Sequence, residues 1–280
     1  MTATHAASHQ DIVDRRVRSV LSAQPRPSPA GALSASLVFG WRGLLKIRRV
    51  PEQLLDVIAI PIIFTLMFTY LFGGALAGST SRYLQFLLPG TLVMTVLLVT
   101  MYAGIGLNAD VAGGVFDRFR SIPIWQGAAV IGALLGDVAR YLLASALVVG
   151  LGLVLGFRPA GGTGGTLAAV ALVIAFAFGL SWVWTTLALV VRTPSAIYSA
   201  ATVILFPLSF ASNVFVDPRT MPSWLQTVVD VNPISHLVTA VRALMRGTVT
   251  AEQLVWVLVG SAALTIVFAP LTLHLYRSKS

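Results

Sequence analysis

The sequence predicts an all-α membrane protein with six transmembrane helices, and three observations predict it. Hydrophobic residues make up 56% of the 280-residue chain and charged residues only 10%, with a mean hydropathy of +0.85. A soluble domain carries about 25% charged residues because its surface must be wet, so this chain cannot cover a water-facing surface of its size. Six apolar runs also reach the ~20 residues that a helix needs to cross the hydrocarbon: 54–76, 83–107, 128–155, 167–191, 197–216 and 254–276. Finally, the basic residues crowd the amino-terminal stretch and a few short loops, as the positive-inside rule expects of a multi-span protein.

An even number of spans puts both ends on one side. With both ends inside, 13 of the 19 lysines and arginines are cytoplasmic, five face outward and Arg140 falls within a span. That bias assigns both termini of a multi-pass protein to the cytoplasm, and the expected location is a bacterial inner (plasma) membrane. Arginine outnumbers lysine 17 to 2, a compositional hint of a GC-rich bacterial genome. The net charge of +9 would suggest nucleic acid in a soluble protein; its placement here argues for orientation in a bilayer and against a nucleic-acid partner. With no cysteine, disulfides, thiolate metal sites and cysteine nucleophiles are excluded. The first apolar run begins near Leu54, too deep for a cleaved leader. Arg15-Arg16 reads as part of a basic tail.

Taken in chain order, residues 1–31 are rich in Pro, Ser and Ala and predict a disordered basic cytoplasmic tail. The rest of the chain, 32–280, forms the second unit. "ALSASLVFGWRGLLKIRR" opens it with Leu33, Leu37, Val38, Trp41, Leu44 and Leu45 on one helical face and Arg42, Lys46 and Arg49 on the adjoining one. This predicts an interfacial helix whose Trp41 and leucines sink while Arg42, Lys46 and Arg49 meet anionic headgroups. Pro51 ends it before the first span. Prolines recur inside spans at 61, 89, 207 and 270. Each frees a backbone carbonyl that lipid cannot satisfy, and Pro89-Gly90 predicts a kink in the second span.

"GGVFDRFRSIPIWQ", residues 113–126, is a charged aromatic insert between two oily spans. Its glycines release the second span, and the next two turns can be helical until Pro123. Phe116, Phe119 and Arg120 then share one side, flanked by Asp117 and Arg118. Aromatic plus Arg on a short rigid stub suits either a groove on a cytoplasmic partner or the membrane surface itself.

Residues 216–247 form an unusually long last outer loop. Asn232 is placed to cap a helix, Pro233 suits its first position and Gly247 its exit. Ile234, Leu237, Val238, Val241, Leu244 and Met245 predict one apolar arc, and Ser235, His236, Thr239, Arg242 and Arg246 a polar one. Such a helix lies at the outer membrane surface or dips into it, as a stabilising cap or as an exit gate. A shorter companion, "MPSWLQTVV", precedes it.

Asp137 and Arg140 are opposite charges three residues apart within one span. That spacing lets them neutralise each other as a structural ion pair. A proton relay needs further buried acids, and Asp56 is the other one at hand. The histidines at 5, 9, 236 and 274 form no ligand cluster in sequence, so no metal site is expected. "GGTGG" at 161–165 lacks the Lys-Ser/Thr of a phosphate loop and reads as an outer turn. Walker, nucleophile-elbow and HExxH motifs are absent from the sequence. An uphill task would therefore be fuelled on another chain, and no enzyme activity is expected of this one.

The order of "IPIIFTLMFTYLFGG", "YLQFLLPGTLVM", "VFDRFRSIPI", "GLVLGFRP" and "VNPISHLVTAVRALMRG" closely resembles the permease subunits of type-2 ABC exporters, in the daunorubicin-resistance subgroup, over about 35–276. The resemblance implies a permease domain over 32–280, a second permease (the same or a different chain), and two copies of a separate ATPase subunit that carry ATP and magnesium. It implies that Phe116, Asp117, Arg118, Phe119 and Arg120 form a cytoplasmic coupling helix, that the interfacial helix also touches the ATPase side, and that re-entrant helices lie between spans five and six. Spans one, two and five would line the interface and the path. The expected cargo is a hydrophobic or amphipathic drug, antibiotic or lipid, with Phe64, Phe68, Phe86, Tyr102, Phe206 and Phe210 as candidate path residues. Export of a lipid-linked polysaccharide and proton-driven secondary transport are the alternatives.

Overall fold

The computed structural model describes residue 59 and residues 61–113 and 127–279. Every regular element among them is helical, as a chain that must satisfy its backbone inside lipid requires. In order the α-helices are α1 (Pro61–Ala77), α2 (Thr80–Ala112), α3 (Gly127–Val154), α4 (Gly162–Val190), α5 (Pro194–Phe210), α6 (Ser223–Val231), α7 (Pro233–Arg246) and α8 (Ala251–Lys279), with a single 3-10 turn at Pro218–Thr220 between α5 and α6. Within the described residues α2, α3, α4 and α8 are long and apolar enough to cross a membrane, while α1 and α5 are apolar but shorter. The start of α1 borders residues outside the described set.

α2 is the centre of the bundle. Nearly nine-tenths (89%) of its most apolar stretch is buried, against 11% for α8. α1, α3, α4, α5 and α7 all pack on it, and α8 lies along α4. The core runs from Tyr83 through Met101 and Tyr102 on α2 to Tyr141, Phe176 and Trp184 on its neighbours. α2 pauses at Thr100, whose hydroxyl donates to the Leu97 carbonyl at 2.6 Å and accepts the Trp184 indole N–H at 2.8 Å. The interior is thus pinned by a polar pair that leaves the buried indole satisfied.

α1 loosens midway along its length. Residues Phe68–Phe72 are π-helical, and the helix resumes over Gly73–Ala77. Such single-turn bulges concentrate at functional sites. Ser79 caps α2 by accepting from the Arg82 N–H at 3.2 Å.

The fifth apolar run departs from its sequence reading. A span over 197–216 is expected, but α5 stops at Phe210. Pro207 has no N–H to donate within that last turn, and the Ala211 N–H closes the helix onto the Pro207 carbonyl. Asn232 then takes up the loose ends, its side-chain amide donating to the Leu208 and Ala211 carbonyls at 2.7 Å each. The chain turns inward instead of continuing, so that Ser212, Asn213, Val214 and Phe215 are all buried.

Candidate functional site

Six phenylalanine rings form a continuous strip from α1 to α5. Phe64 stacks on Phe68 at 5.7 Å, and Phe68 meets Phe72 at 5.3 Å. Phe215 bridges the two helices, 4.5 Å from Phe68 and 5.0 Å from Phe210, and Phe206 follows Phe210 at 6.2 Å. The four-residue steps 64–68–72 and 206–210 place these rings on one face of each helix. The strip is partly open, with Phe72 41% and Phe210 50% exposed. Stacked rings of this kind present a flat, polarisable, apolar surface.

Four of the sequence-predicted path residues therefore come together: Phe64, Phe68, Phe206 and Phe210. Phe86 and Tyr102 do not join them. Phe86 sits under the Arg242 guanidinium, 4.0 Å from ring centroid to Cζ, and Tyr102 lies 5.5 Å from that of Arg140. Sequence reasoning missed Phe72 and Phe215. Phe72 was legible one step beyond Phe68. Phe215 was not, because only the inward turn after α5 brings it back to α1.

The charge pair of α3 is buried and joined, Arg140 Nη1 donating to Asp137 Oδ1. Next to it the Tyr141 hydroxyl and Ser181 Oγ share a hydrogen bond at 2.7 Å between α3 and α4. The geometry is that of a satisfied polar patch tying α3 to α2 and α4, as buried polar groups require.

α7 begins and ends as the sequence predicts. Asn232 Oδ1 accepts from the Ile234 N–H at 2.9 Å, and Gly247 closes the helix at φ 75°. Its environment differs from a helix resting on a surface. Ten of its 14 residues are buried, and it packs against α2, α4 and α8. The polar arc is itself split. His236 and Arg246 are exposed, whereas Ser235 and Arg242 point into the bundle and Thr239 is half-buried. Thr239 accepts from the Asn213 side-chain amide at 2.8 Å. Arg242 donates to the Phe86 carbonyl at 3.2 and 3.1 Å and to the Asn213 carbonyl at 3.0 Å. Burial, reinforced by Arg246 and opposed by Asp217, pulls its pKa down to about 9, so it stays a cation at neutral pH.

The "GGTGG" stretch explains how α7 seats so deeply. Gly162–Gly165 form the first turn of α4 rather than a free outer turn. The Gly161 N–H donates to the Met245 carbonyl at 2.8 Å, and a Cβ on Gly161 or Gly165 would collide with the Leu244 carbonyl. Glycine here is what lets two helix ends touch backbone to backbone.

Trp41, Arg42, Lys46 and Arg49 of the interfacial helix, Asp56, and Phe116, Asp117, Arg118, Phe119 and Arg120 of the 113–126 insert lie outside the described residues.

Comparison with known proteins supplies the remaining findings. Residues 35–245 match the family described as ABC-2 type transporter. The chain is 50% identical, over 96% of its own length and 95% of the relative's, to a daunorubicin resistance ABC transporter permease protein of Streptomyces coeruleorubidus. It is 27% identical to a doxorubicin resistance ABC transporter permease protein of Mycobacterium tuberculosis, covering 73% of this chain and 74% of that one.

Proposed function

The chain belongs to the ABC-2 type transporter family, and from that premise we propose that it is the membrane permease subunit of an ATP-driven exporter of hydrophobic or amphipathic compounds. One observation carries the reading: its near-full-length likeness to a permease named for daunorubicin resistance. The phenylalanine strip supports a flat apolar cargo, because aromatic faces reward planar, polarisable molecules. A lipid-linked polysaccharide would call for a more polar lining.

The finer arrangement follows from the same premise. The six apolar stretches are six spans, with α1 and α5 as the first and fifth, both termini cytoplasmic, and the bacterial plasma membrane as the site. α6 and α7 form the re-entrant pair between spans five and six. Two copies of a separate ATPase hold ATP and magnesium, and a second permease, identical or not, completes the path. Phe116, Phe119 and Arg120, with Asp117 and Arg118 for polar contact, form the knob that receives the ATPase stroke. Trp41, Arg42, Lys46 and Arg49 anchor the helix beside it.

The test is transport of daunorubicin into inside-out vesicles containing this chain and its ATPase. Uptake that requires both ATP and the ATPase is expected. Uptake driven by a pH gradient, with this chain alone, would establish a secondary transporter and defeat the reading.

A further inference from the structure

Arg242 is a buried cation with neutral partners. It is 8% exposed, and among the described residues no carboxylate forms an ion pair with it. Burying a guanidinium without a counter-ion is costly, so its neighbours must supply what solvent would. They are two backbone carbonyls and one aromatic face.

Those carbonyls belong to different elements. Phe86 lies on α2 in the turn before Pro89, whose missing N–H frees the carbonyl of the preceding residue, Gln85. Asn213 lies in the inward turn after α5. The two backbones meet directly beside the guanidinium. A Cβ on Gly90 would come within 2.7 Å of the Val214 carbonyl oxygen. One side chain of α7 thus bonds both to α2 and to the turn after α5, beside a place where their backbones nearly touch.

The seam along α7 is incompletely bonded. Ser235, Thr239 and Arg242 recur at i, i+4 and i+7 on one stripe. Thr239 and Arg242 are bonded, yet Ser235 Oγ and Asn213 Oδ1 are buried without a hydrogen-bond partner among the described residues. Orphaned buried groups are rare and call for an explanation. A surface that exchanges partners between two positions leaves some groups unpaired in each.

We propose that Arg242 is a positioning residue that clasps α7 to α2 at Phe86 and to the turn after α5, and that the path opens at this end by release of the clasp. The proposal rests on the exporter reading for its purpose but not for its first measurement.

Because the chain has no cysteine, Ser235→Cys supplies a single thiol on the seam. In vesicles, N-ethylmaleimide should label it slowly. Adding Arg242→Lys keeps the charge and removes the fork that reaches both carbonyls. It should speed labelling about tenfold, the scale expected for lost hydrogen bonds to a charged group. With Ser235 intact and the ATPase present, Arg242→Lys should slow ATP-driven daunorubicin uptake about tenfold while the half-saturating concentration stays put. Arg242→Gln should behave alike.

Labelling and uptake within twofold of the parent in both variants would overturn the proposal. A raised half-saturating concentration at unchanged maximal rate would overturn it too, by making Arg242 a cargo contact. Loss of both variants from the membrane would make Arg242 a folding residue and would equally end the proposal. Labelling needs neither ATP nor cargo. A parent that moves no daunorubicin therefore sinks the exporter reading while leaving the clasp measurable.

Discussion

Arg140 and Asp137 sit one turn apart on α3, buried and bonded to each other. The value of such a pair lies less in its own attraction than in what happens when half of it is removed. An uncompensated buried charge costs about 3–5 kcal/mol, while exchanging both partners for apolar residues of similar size is often neutral. Asp137→Ala should therefore destabilise the purified protein strongly, and Asp137→Leu with Arg140→Met should recover most of the loss. Thermal unfolding in detergent reads both, and a single mutant no worse than the double one would show that the pair is not a buried ionic unit. The pair was legible in the sequence because i, i+3 spacing fixes proximity within one helix. Arg242 was not. Its amphipathic pattern marks it as polar, and pattern alone does not say whether a polar face meets water or carbonyls.

At the scale of elements, α7 shows both outcomes. Asn232, Pro233 and Gly247 set its limits, since capping chemistry is local and acts within a few residues. Its depth is set by other elements: the glycines opening α4, the shortened α5 and the Phe86 carbonyl of α2. Asn232 joins the local and the distant role. Its oxygen caps α7, and its amide nitrogen closes α5. Asn232→Ser keeps an acceptor for the cap and loses the tie to α5, whereas Asn232→Ala loses both. The alanine variant should be less stable than the serine variant by about 1 kcal/mol, the usual worth of a cap, and both should fall below the parent. Equal melting temperatures for the two variants would show that the cap contributes nothing.

Across the whole molecule, the fold is arranged around α2, covered on all sides, with α8 left open along most of its length. Ile266, Val267 and Val259 on α8 and Tyr70 and Leu71 on α1 remain more than half exposed. In water such surface would drive aggregation; in a bilayer it is ordinary. Orientation can be tested without disturbing this arrangement, because Thr163 in the first turn of α4 and Ser278 in the last turn of α8 are both exposed. In intact cells a membrane-impermeant maleimide should label Thr163→Cys and spare Ser278→Cys until the cells are opened. The reverse pattern would invert the proposed topology.

The sequence by itself determined the helical class, the apolar stretches, the caps of α7 and the Asp137–Arg140 pair. Each depends on composition or on neighbours within about one helical turn, where geometry is fixed by the backbone period. Only the tertiary structure decided that Phe215 joins the rings of α1 to those of α5, that α5 ends at Phe210, and that Arg242 faces two carbonyls instead of water. Apart from Phe210–Phe215, those contacts link residues 21 to 156 positions apart. Nothing in a local pattern specifies which distant surface a given side chain will meet once the helices pack.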